Sequence, residues 1–115
     1  MKTIGNTPVD GEVRAVASGA LANGDTVIVN ADGTVSVVGG GNLTSENYIG
    51  IAKGAASDGT SAVVQTGCSI NDAQSGLTAG QDYYVQTDGT LGLTAADPSV
   101  LAGTAVSATK LIVKG

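Results

Sequence analysis

The chain contains no Phe, no Trp and no His, and its only aromatic residues are Tyr48, Tyr83 and Tyr84. Without Phe and Trp, a core must be assembled from Val, Ile, Leu and Ala. Each of the larger aliphatic side chains contributes only about 1.5–3 kcal/mol on full burial, and Ala less. A thin core follows, one that gains from contacts with neighbouring subunits. Without His, the usual general base near neutral pH is missing. No Ser-His-Asp or Cys-His site can form within one chain. Cys68 is the single cysteine, so an intrachain disulfide is excluded. No basic residue neighbours it in sequence to depress its pKa, and it reads as a small, partly buried hydrophobe.

Positive charge is also scarce. Five basic residues against ten acidic ones give a formal net charge of -5. Lys2, Arg14, Lys53, Lys110 and Lys114 are scattered, whereas phosphate neutralisation needs clustered Lys and Arg. Nucleic acid is therefore not an expected partner. No run approaches the roughly 18 apolar residues of a transmembrane helix. The start, Met1-Lys2-Thr3-Ile4-Gly5-Asn6-Thr7-Pro8, lacks the apolar stretch of a signal peptide. No membrane partner is expected, and the expected compartment is cytosol-like. There Asn42-Leu43-Thr44, a glycosylation sequon by pattern, carries no meaning. The acidic residues mostly sit beside Gly, Asn or Pro, where Asp forms turns. None is spaced as a glycosidase pair or calcium loop requires. Gly39-Gly40-Gly41 has no following Lys or helix start, so it is a connection rather than a phosphate loop. The expectation is a non-enzyme without cofactor or metal.

What the chain does have is glycine: eighteen residues, separating short runs of Val, Ile, Thr and Tyr. That rhythm predicts an all-β fold of short strands and tight turns. The one helical candidate, Asn71 to Ser75, is stopped by Gly76 and is at most one turn. Two hairpins stand out. Asp25 to Asn30 leads through Ala31-Asp32-Gly33 to a return over Thr34 to Val38. Tyr83 to Gln86 leads through Thr87-Asp88-Gly89 to a return over Thr90 to Thr94. Asp-Gly between β-branched runs is a strong hairpin signal. The Asp32 and Asp88 turns are expected at exposed tips.

The hairpins read as copies. Leu21-Ala22-Asn23-Gly24 precedes the first as Leu77-Thr78-Ala79-Gly80 precedes the second. Val29, Asp32, Gly33 and Thr34 recur as Val85, Asp88, Gly89 and Thr90. Each hairpin is followed by two strands: Tyr48 to Ala52 and Ala62 to Gly67 in one case, Leu101 to Ala105 and Leu111 to Gly115 in the other. An internal repeat of residues 21–67 and 77–115 results, two hairpin-plus-two-strand units closing as a compact β-barrel or β-sandwich. A further strand, Glu12 to Ala17, precedes the first unit, so residues 12–115 form a single β domain. Residues 1–11, polar and with little to bury, form an extended N-terminal arm that a neighbouring subunit would hold, as arms do when they add a strand to a sheet edge. Few Lys or Pro residues guard the strand edges, as a free monomer would need.

Asn47-Tyr48-Ile49-Gly50-Ile51-Ala52 resembles a strand of tailed-phage structural proteins, especially of marine phages. So does Gln74-Ser75-Gly76-Leu77-Thr78-Ala79-Gly80 running into Tyr83 to Thr90, and so does the ending Ala102 to Val113. With Leu21 to Val38, the resemblance covers most of the chain after the arm. Such modules occur as capsid decoration (cement) proteins and as terminal domains of tail proteins. The resemblance to lambda-like head decoration proteins implies a homotrimer bound to the major capsid protein. The location would be the virion, assembled in the host cytoplasm. The arm residues Ile4, Pro8 and Val9, together with Arg14, would form the capsid contact. The alternative is a tail-fibre or receptor-binding module contacting the host surface. There the tyrosines would stack on sugar, but Tyr83 and Tyr84 are adjacent and should face opposite sides of a strand. A host-side carbohydrate-binding domain and a virion hydrolase are weaker rivals, opposed by the missing signal peptide and the missing acid-base groups.

Overall fold

Short β-branched runs cut by glycine are too brief to nucleate helices and bury their apolar faces only by pairing. The computed structural model describes residues 11–67 and 69–114, and in them every regular element is a strand. The first unit contains β1 (Glu12–Val16), β2 (Thr26–Val29), β3 (Val35–Val37), β4 (Tyr48–Ala52) and β5 (Ser61–Gln65). The second contains β6 (Ile70–Asn71), β7 (Asp82–Val85), β8 (Leu91–Gly92), β9 (Leu101–Ala105) and β10 (Leu111–Val113). Each unit is one five-stranded antiparallel sheet, ordered β1-β5-β4-β2-β3 and β6-β10-β9-β7-β8. The second order repeats the first, strand for strand.

The repetition extends to register. Val27 lies opposite Gly50, the ladder slips, and Ile28 lies opposite Tyr48. Tyr83 lies opposite Gly103, the ladder slips again, and Tyr84 lies opposite Leu101. The glycines at this irregularity have the same steric job. A Cβ on Gly50 would overlap the carbonyl oxygen of Gln65, and one on Gly103 that of Ile112. Removing the side chain lets the neighbouring backbone approach. The hairpin turns match as well. Gly33 N–H donates to the Asn30 carbonyl at 2.9 Å, and Gly89 N–H to the Gln86 carbonyl at 2.9 Å. The Leu-x-x-Gly lead-ins are pinned alike, Gly24 N–H to the Ala52 carbonyl (2.9 Å) and Gly80 N–H to that of Ala105 (2.8 Å).

Three findings revise the sequence expectations. Each unit has a leading strand, not only the first: β6 pairs with β10 as β1 pairs with β5. Thr66 N–H reaches the Gly11 carbonyl at 2.6 Å, and Val113 N–H reaches that of Ser69 at 2.8 Å. The short helical turn expected over Asn71 to Ser75 is absent, because Asn71 belongs to β6 and its side chain is committed to a buried network. The strand edges are also better protected than their composition suggests. A parallel bridge between Ala17 and Val35 joins β1 to β3, the two margins of the first sheet, and closes it into a small barrel. In the second sheet the marginal strands β6 and β8 are two residues each. Closure and short edges both discourage edge-to-edge pairing.

The core follows this asymmetry. Ala17, Leu21, Val27, Val35, Ala52, Ala62 and Val64 form a cluster within the first unit alone. A barrel of five strands has room for little else, which accounts for its Ala and Val content. The larger cluster joins the units. Ile28, Val38, Leu43 and Ile51 of the first pack with Tyr83, Val85, Val100, Leu111 and Val113 of the second. Adjacent residues on a strand point to opposite faces, so Val27 fills the first barrel while Ile28 packs into the second unit.

A buried polar network stitches the same junction. Gln65 and Asn71 are 8% and 1% exposed. Asn71 Nδ2 donates to Gln65 Oε1 at 2.7 Å, and Gln65 Nε2 donates to the Ile70 carbonyl at 2.8 Å. Gln74 Nε2 donates to Asn71 Oδ1 (2.9 Å) and to the Gly24 carbonyl (3.1 Å). Thr26 Oγ1 adds a bond across the units to the Gly89 carbonyl at 2.7 Å.

Candidate functional site

The first barrel is closed at one end and open at the other. At the open end the start of β1, the end of β2, the start of β4 and the segment after β5 surround a groove of about 760 Å³. Its volume lies within the range of ordinary ligand pockets. Val13, Ala15, Val29, Val35 and Ile49 are among its lining residues, with Leu101 contributed by the second unit. Two of the chain's five basic residues, Arg14 and Lys114, stand on its wall. Arg14 is exposed on β1. Lys114 follows β10, held by its N–H to the Ala102 carbonyl at 2.9 Å.

The backbone of β1 gives this mouth a second property. Thr66 N–H to Gly11 O and Ala17 N–H to Thr60 O, 2.8 Å in the latter case, aim the main chain of alternate residues at β5. The main-chain groups of Glu12 and Arg14 therefore point away from β5, and Arg14 lines the groove. Closure begins only at Ala17, where Ser18 N–H meets the Val35 carbonyl at 2.7 Å. Arg14 sits at a non-hydrogen-bonded position opposite Val63, its N–H and C=O left unused by β5. The start of β1 is steadied by a Lys53 to Glu12 ion pair at 2.6 Å. Lys53 is 58% exposed, so this pair contributes at most about 1 kcal/mol.

Tyr48, at the start of β4, lines the same groove. Its hydroxyl is buried without a hydrogen-bond partner among the described residues. Burial pushes its pKa well above the ordinary value, so it stays a neutral donor. Tyr83 is buried and its hydroxyl accepts the Thr78 N–H at 2.8 Å. Tyr84 is half-buried on the opposite face of β7. The three tyrosines therefore do not form one platform.

Of the four residues expected at a capsid contact, the structure describes Arg14, which lines the groove. Ile4, Pro8 and Val9 lie outside the described residues, as do the arm before Gly11 and Cys68. The Asp32 and Asp88 side chains are both exposed. Each is lowered in pKa by its own threonine. Thr34 Oγ1 donates to Asp32 at 2.6 Å and its N–H at 3.0 Å, and Thr90 Oγ1 donates to Asp88 at 2.7 Å and its N–H at 3.0 Å. Only the first turn projects freely. A Cβ on Gly33 would meet nothing within 4 Å, whereas one on Gly89 would lie 2.5 Å from the Val38 carbonyl oxygen. The second turn is a strut between units rather than a tip.

The groove itself was not legible in the sequence. Arg14 and Lys114 lie at opposite ends of the chain, and no motif links them. Only the alternation of Val13 and Ala15 around Arg14 hinted at a half-buried strand. No protein-family model matches the chain, and no curated protein is similar to it.

Proposed function

We propose that this chain is a structural, non-catalytic protein of a tailed-phage particle, a capsid decoration protein that stabilises the head by bridging capsid subunits as a homotrimer. The observation that carries the reading is the convergence at the barrel mouth. Val13, the exposed Arg14 and Ala15 of β1, the strand that follows the N-terminal arm in sequence, line an apolar groove. A bridge of this kind adds buried surface that must be separated before the shell opens. The resemblance of Tyr48 to Ala52, Gln74 to Thr90 and Ala102 to Val113 to phage structural modules supports the same assignment. In it the protein works in the virion after assembly in the host cytoplasm, with the major capsid protein as partner and without cofactor, nucleic acid or membrane.

One observation favours the alternative, a tail-fibre or receptor-binding module. Gly39, Gly40 and Gly41 have open space where a side chain would stand. The connection after β3 would thus accept the larger insert found at this place in longer tail proteins. Removing residues 1–11 tests the preferred reading. The truncated domain should keep its folded spectrum and lose binding to undecorated shells. Equal binding by the truncated and full chains would refute the role of the arm.

A further inference from the structure

The open barrel mouth has the features of a strand-accepting site, and we infer that it binds an extended segment of a partner chain, one that carries a carboxylate among alternating apolar residues. Three observations converge. First, Glu12 and Arg14 turn their main-chain groups away from β5, at the margin of the sheet where Arg14 lines the groove, and the margins β1 and β3 are bridged at Ala17 and Val35. An incoming strand of five or six residues, about 17–20 Å long, would continue the sheet along β1. Second, Val13, Ala15, Val29 and Ile49 offer apolar contacts to alternate side chains of that strand. Third, Arg14 and Lys114 flank the groove in a chain whose net charge is -5.

Charge complementarity selects an acidic occupant. The residues before Gly11 fit less well, since Lys2 offsets Asp10 and leaves them no net negative charge, and Pro8 lacks an amide to donate. The inference deepens the assembly reading by naming the chemistry of the partner. The two fail separately, because this site is probed on the isolated protein and the assembly reading on particles.

The probes are two capped heptapeptides, Thr-Val-Glu-Val-Thr-Val-Thr and the same sequence with Lys replacing Glu. Their binding to the full-length protein is followed by fluorescence anisotropy and by amide hydrogen exchange. The acidic peptide should bind about tenfold more tightly at low salt, and its binding should slow exchange of the Arg14 amide. The double variant Arg14→Glu, Lys114→Glu should reverse the preference, an outcome misfolding would not produce. A preference unmoved by the charge reversal would overturn the inference, as would an Arg14 amide unprotected at saturation. An Arg14 amide already protected in the protein alone would show the site filled by the leader or a second copy, and would overturn it too. So would decanoate displacing the peptide without protecting that amide, which would assign the groove to an anionic amphiphile.

Discussion

The carboxylates of Asp32 and Asp88 each accept both the hydroxyl and the amide of the threonine two residues on, and these bonds favour the charged form. The native pKa therefore falls below the ordinary 3.8. A group depressed in the native state stabilises the fold above its unfolded pKa, and that contribution disappears as pH falls through the native value. Thr34→Val should raise the Asp32 pKa toward 3.8 and leave Asp88 unchanged, as read by carboxyl carbon shifts in an NMR titration. The variant's stability deficit should be present at neutral pH and shrink in acid. Gly50 and Gly103 make a harder demand, because a methyl group at either would strike the facing backbone. Gly50→Ala and Gly103→Ala should each cost about 3 kcal/mol or more in urea unfolding. A loss below about 1 kcal/mol at both would contradict the close approach.

Among the elements, the hairpins around Asp32-Gly33 and Asp88-Gly89 were legible because turn chemistry is local. So were β4 and β9, whose bounds Tyr48–Ala52 and Leu101–Ala105 match the apolar runs. The leading strand β6 was not, since two residues carry no readable alternation. What fixes β6 is distant: its pairing with β10 and the fit of Asn71 against Gln65 and Gln74. Truncating Asn71 strands buried donors and acceptors at that junction. Asn71→Ala should cost about 3 kcal/mol and accelerate amide exchange in both β5 and β10. Faster exchange in β10 alone would mean that the network does not couple the units.

At the scale of the molecule, one five-strand plan is used twice with different outcomes. The first copy closes through Ala17 and Val35 and fills itself with small side chains. The second is completed by Ile28, Ile51, Val38 and Leu43 of the first. This division was not visible in the sequence, where Val27 and Ile28 look alike and only the sheet face separates their roles. The shared core joins the two units, and the open mouth of the first presents an apolar groove flanked by Arg14 and Lys114. The proposal that this surface serves a decorated shell is tested most directly by the amount of the chain in purified particles. Quantitative mass spectrometry should find it in numbers approaching those of the major capsid protein. A few copies per particle, confined to the tail fraction, would contradict the account.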